Sequence, residues 1–135
     1  MTGNFEKQHP FCSTHPKSFP LSAKWGVRIV LKKEEDVIPE LMLFITRLDS
    51  LPRRKAFYTR LAVHEAVSNA LCYGGPDPIL TAWGTQNFMQ AAIEQKNNIR
   101  WPQKSNEYAG TALIKRYASE YMIAADKKTL LLRFY

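Results

Sequence analysis

Between Leu61 and Cys72 the chain reads Leu-Ala-Val-His-Glu-Ala-Val-Ser-Asn-Ala-Leu-Cys. The segment is mostly apolar, so a helix formed from it is central and buried. At 3.6 residues per turn, His64, Glu65, Ser68 and Asn69 fall within an arc of roughly 140°. Four polar groups on one side of a core helix are costly in an apolar setting and must meet partners, water or a ligand. Glu65 and Asn69 stand one turn apart on the same face. A carboxylate and an amide oxygen so placed can serve a hydrated magnesium ion and a proton transfer. The plainer alternative is a polar stripe that faces solvent or bonds neighbouring strands. His64 reads as a hydrogen-bonded core histidine or as a group that tunes Glu65, and Cys72 as a small buried hydrophobe.

Other elements must position that helix. Trp25, Val27, Ile29 and Leu31 alternate with Gly26, Arg28, Val30 and Lys32, which predicts a strand with one face buried. Asp36 can cap a helix in which Ile38, Leu41, Ile45 and Leu48 recur at three- and four-residue steps. Ser50-Leu51-Pro52 breaks it. The central helix then starts near Arg53 and runs to Tyr73, where Gly74-Gly75-Pro76 stops it. Two strands, Pro78–Trp83 and Phe88–Glu94, flank a turn at Gly84-Thr85-Gln86-Asn87 and predict a hairpin. Lys96–Tyr108 lacks periodicity and reads as a long loop, a lid candidate. Gly110–Glu120 is predicted helical, and Met122–Ala125 with Thr129–Tyr135 form a closing hairpin. Trp25, Tyr117, Tyr121 and Phe134 read as core.

Segregated helices and hairpins argue for an α+β fold: a two-layer sandwich with helices on one face of a mixed, mostly antiparallel sheet. Residues 1–21 form a proline-punctuated tail and 22–135 one domain. With 135 residues, 45% hydrophobic and 23% charged, the chain can bury one real core without disulfides or metals. Its two cysteines point weakly to a reducing compartment. His9, Cys12 and His15 lack a second ligand pair at zinc-finger spacing. No apolar run is long enough for a transmembrane helix, and residues 1–20 show no signal-peptide stretch. A net charge of +7 invites nucleic acid, an acidic protein or phosphates. Arg53-Arg54-Lys55 and Arg60 are a basic cluster at the start of the central helix, but the aromatics do not interleave with basic residues in an RNA-binding pattern.

Glu65-Ala66-Val67-Ser68-Asn69-Ala70, followed by Tyr73-Gly74, resembles the N-box of the GHKL (Bergerat-fold) ATPases. More narrowly it resembles that of bacterial anti-sigma-factor serine kinases, whose element order is similar over residues 22–135. The resemblance implies a histidine-kinase-like ATPase fold with ATP and magnesium as cofactors. It implies Asn69 as the magnesium ligand and Glu65 as the general base toward a seryl hydroxyl or water. Gly110-Thr111-Ala112-Leu113 is similar to the family's Gly-x-Gly-Leu, whose amides approach phosphate at a helix N-terminus. Where the family has Asp-x-Gly-x-Gly, this chain reads Glu94-Gln95-Lys96-Asn97-Asn98, with Glu94 standing in for the adenine-binding aspartate and Lys96 and Asn98 replacing glycines.

The resemblance implies a cytoplasmic anti-sigma-factor-like regulator. Such a protein would bind ATP and magnesium, phosphorylate a serine on an anti-sigma antagonist protein, and sequester a sigma factor or an analogous regulator, with homodimerisation among the family's habits. Nucleic acid is the weaker partner class, and no membrane is implied. The alternative is a non-catalytic protein-interaction module on the same fold with an eroded nucleotide site.

Overall fold

The computed structural model describes residues 23–32, 53–85, 89–100 and 109–135, with the backbone alone at 53–54 and 109–112. The expected tail, the helix after Asp36, the tip of the first hairpin and the loop from Trp101 to Tyr108 lie outside the described residues. Five strands and two helices are present: β1 (Trp25–Val30), α1 (Arg53–Tyr73), β2 (Ile79–Gly84), β3 (Met89–Glu94), α2 (Ala109–Tyr117), β4 (Glu120–Ile123) and β5 (Thr129–Phe134). The strands form one sheet in the order β1-β2-β3-β5-β4.

Every pairing among these strands is antiparallel, so the sheet is not mixed. Because β3 and β4 both run antiparallel to β5, they are parallel to each other, and the connection from β3 through α2 to β4 crosses over the position that β5 fills between them. Hairpins join β2 to β3 and β4 to β5, as the turn residues predict. Lys127, at φ 62°, turns the second hairpin, and Asp126 Oδ1 accepts from the Lys128 amide at 2.8 Å. The helix expected over Gly110–Glu120 ends at Tyr117. Glu120 instead opens β4 opposite Arg133, because pairing with β5 satisfies its backbone and brings its carboxylate within ion-pair distance of Arg133.

One sheet face carries Val27, Ala82, Ala91, Leu132 and Tyr121 in one row, and Ile29, Leu80, Ile93, Leu130 and Ile123 in the next. Ala62, Val63, Ala66, Val67 and Ala70 of α1 and Ile114 of α2 complete this core. Their spacing on α1 is the three-and-four period of a single buried face. Small alanines let α1 lie close to the sheet. Phe134 is buried, whereas Trp25, Tyr117 and Tyr121 pack against the core from its edge. Trp25 covers Gly84, its cross-strand partner, where any side chain would collide with the indole.

The opposite face carries a polar row, Trp83, Gln90, Arg133 and Glu120. Arg133 is fully buried; its Nε donates to Gln90 Oε1 at 2.7 Å and its Nη1 lies 3.6 Å from Glu120 Oε2. Tyr135 donates its hydroxyl to Glu120 Oε1 at 2.9 Å. Burial, then that hydrogen bond, pushes the Tyr135 phenol above its ordinary pKa. No described helix is long and apolar enough to cross a membrane.

Candidate functional site

The C-terminal half of α1 and the segment after β3 enclose a cavity of about 500 Å³. That volume lies in the range of small-molecule sites. From α1 come Ala66, Asn69, Ala70 and Tyr73; from the far wall Gln95, Asn97, Asn98, Ile99 and Arg100; the floor is Ile93 and Leu130. Among the described residues the lining is thus rich in amides, carries one guanidinium and includes no carboxylate. Such a lining suits an uncharged polar ring and an anionic group.

Three hydrogen bonds tie the two walls together, and a fourth braces the far wall. Gly74 O accepts from the amides of Lys96 at 3.0 Å and Asn97 at 2.9 Å. Asn97 Nδ2 donates to Tyr73 O at 3.0 Å, and Gln95 Nε2 to Asn97 O at 2.9 Å within the far wall itself. The contact depends on glycine at 74, because a Cβ there would stand 2.5 Å from Ala70 O and 2.8 Å from Gln95 Cβ. Ala70 O belongs to the helix backbone and cannot yield. Gly74→Ala is therefore expected to lower stability by about 1–3 kcal/mol, read from the midpoint of urea unfolding. Gly75 has a left-handed φ of 89°, so both glycines of the stop signal are used, for different reasons.

The polar stripe of α1 is divided by this geometry. Asn69 faces the cavity. Glu65 does not line it; its Oε1 lies 4.0 Å from His64 Nδ1, and both side chains are about one-third exposed, at 30% and 35%. His64 is thus not the core histidine that one reading of the sequence expects. Cys72 is exposed, not buried, because the buried face of α1 runs through Ala62, Val63, Ala66, Val67 and Ala70 and Cys72 falls on the opposite side of the helix.

Glu94 is likewise separate from the cavity. Successive strand residues point to opposite faces, and Ile93 takes the cavity side. Glu94 therefore shares the other face with Arg28, whose Nη1 lies 3.6 Å from Glu94 Oε2 and 3.1 Å from Thr81 Oγ1. Gln95, which sequence reasoning passed over, is the residue that enters the cavity. Alternation along β3 points to Gln95 only once strand pairing has fixed which face Ile93 occupies. Arg100 was also missed, since nothing local marks it.

Gly110, Thr111 and Ala112 lie in the first turn of α2, which packs against α1. Leu113 is half-buried and does not line the cavity. No protein-family model and no curated protein sequence matches the chain.

Proposed function

We propose that the chain is an anti-sigma-factor-like regulator of the histidine-kinase-like ATPase fold, binding ATP with magnesium in this cavity. It acts in the cytoplasm on a sigma factor or analogous regulator and phosphorylates a serine of an antagonist protein. One observation carries the reading: Asn69 lines a cavity whose opposite wall is the segment after β3. The resembling family places its nucleotide between those two elements.

The lining residues fit such a ligand. Gln95 and Asn97 offer amides to a base edge, where donor and acceptor together suit adenine. Arg100 supplies a positive charge for phosphate oxygens. Magnesium would be held chiefly by phosphate oxygens and water, the usual case for this ion, and Asn69 would supply an amide oxygen. When bound, the ion neutralises charge on the phosphate oxygens. Asn69 then orients the phosphates, Arg100 binds them, and Glu65, at the solvent side of the same helix, accepts the seryl proton.

Thermal melting tests this. ATP and magnesium at about 100 times the dissociation constant should stabilise wild type by ~2.7 kcal/mol, or roughly 8–10 °C for a domain of this size. Asn69→Ala should lose the magnesium-dependent part. No shift in wild type at millimolar ATP and magnesium would sink the nucleotide reading. The second reading, an interaction module without nucleotide, would then stand. The orientation of Glu94 toward Arg28, and Lys96 and Asn98 at glycine positions of the motif, favour it.

A further inference from the structure

Away from the cavity, α1 and α2 meet through aromatic rings. Tyr58 and Tyr117 stack with centroids 4.4 Å apart and planes within 6°. Phe57 meets Tyr58 edge-on at 5.6 Å. A guanidinium ends the ladder on each side: Arg60 Cζ lies 5.4 Å from the Phe57 centroid, and Arg116 Cζ 5.6 Å from that of Tyr117. Phe57 is 48% exposed, a large apolar side chain left in water at the middle of a basic surface.

Along these two segments the charge is of one sign. Residues 53–60 and 109–117 include Arg53, Arg54, Lys55, Arg60, Lys115 and Arg116, and no aspartate or glutamate. Cations on the first turns of α1 oppose the helix dipole; Lys55 Nζ donates to Tyr135 O at 3.0 Å, but that bond does not account for Arg60. Among the described residues neither Arg60 nor Arg116 forms a salt bridge. A guanidinium lying over a ring keeps its in-plane N–H groups pointing outward. That fork matches a carboxylate with two parallel hydrogen bonds, and the ring holds it in place so that less entropy is lost on binding. Tyr58 and Tyr117 stack on each other, Arg116 lies over Tyr117 and Arg60 over one face of Phe57, so of these rings Phe57 is the one with large exposed area. One exposed ring suits one apolar side chain, whereas a run of unpaired bases needs several stacking platforms, which disfavours single-stranded nucleic acid.

We propose that this ladder is the docking surface for an acidic polypeptide segment, with carboxylates on Arg60 and Arg116 and an apolar side chain against Phe57. It is independent of whether the cavity takes a nucleotide. Such a surface has the composition of an interface centre, an aromatic anchor flanked by arginines.

The probe is a short fluorescein-labelled peptide alternating glutamate and leucine, titrated with the full chain at low salt and read by anisotropy. Wild type should bind it, and should not bind the peptide with glutamine in place of glutamate. Arg60→Ala and Arg116→Ala should each weaken binding at least ~10-fold, the loss expected for a charge-assisted hydrogen-bonding group, and Phe57→Ala should weaken it too. The double variant Arg60→Lys/Arg116→Lys keeps the charge without the fork and should recover only part of the affinity. Circular dichroism should show all these surface variants folded. The proposal is overturned if wild type does not bind the acidic peptide, if the lysine double variant binds as wild type does, or if the alanine variants are unaffected. It is also overturned if oligothymidylate of matching length binds more tightly than the peptide through the same residues, since the surface would then serve nucleic acid.

Discussion

Replacing Glu120 with alanine should lower the unfolding free energy by about 3–5 kcal/mol, the usual cost of leaving one member of a buried ion pair alone. Arg133 is fully buried, and among the described residues Glu120 is the carboxylate within ion-pair distance of it. With Glu120 gone, a guanidinium would remain in a low-dielectric setting with Gln90 Oε1 accepting from its Nε. The loss is a large share of a typical domain's stability. Glu120→Gln keeps the shape and should still destabilise, because the charge is what Arg133 requires. The double variant Glu120→Leu/Arg133→Met removes both charges at similar volume and should recover most of the loss. Urea unfolding monitored by tryptophan fluorescence checks all three. If Glu120→Ala unfolds at the wild-type midpoint, the pair contributes nothing and Arg133 finds its compensation elsewhere.

The second large effect concerns rate. On the kinase reading, Glu65→Gln should leave ATP affinity within a few-fold and cut phosphoryl transfer at least ~100-fold, the contribution of a general base. At ~1.4 kcal/mol per tenfold this is about 3 kcal/mol of barrier or more. The structure makes the separation of effects testable. Asn69 lines the cavity, so its loss should reach ground-state binding, whereas Glu65 stands outside the lining and its loss should not. Ser68→Ala is the control and should change little. Transfer is measured with labelled ATP against candidate antagonist proteins. Wild-type transfer by Glu65→Gln would make Glu65 structural. Complex formation without any transfer by wild type would leave a scaffold that has lost the chemistry.

Local signals carried much of the fold. Pro52 before α1 and Gly74-Gly75-Pro76 after it bound the helix at Arg53 and Tyr73, where the structure has its ends. Caps and breakers act on the backbone within a turn, so neighbouring residues suffice to place them. The alternation in Trp25–Val30 and the turn residues of both hairpins also act over short range, and those strands are present. The α+β class and the helical layer over one sheet face follow from these elements. The small apolar face of α1 likewise needed only its own periodicity.

What the tertiary structure decided depends on pairing between distant segments. Local sequence does not say which residue after Ile93 enters the cavity, because a shift of one position turns every side chain to the other face. The register of β3 against β5, with Glu94 opposite Thr129, settles it: Glu94 joins Arg28 and Gln95 turns inward. The end of α2 is of the same kind. Ala118, Ser119 and Glu120 could continue a helix by propensity alone, but β5 offers Glu120 a backbone partner and Arg133 a counter-charge. An arginine in a strand ordinarily reads as solvent-facing, and only the row Gln90, Arg133 and Glu120 across three strands makes its burial affordable in free energy. Asn69 could be marked from its own helix, but the cavity it faces exists only where Gly74 lets the loop after β3 close against that helix.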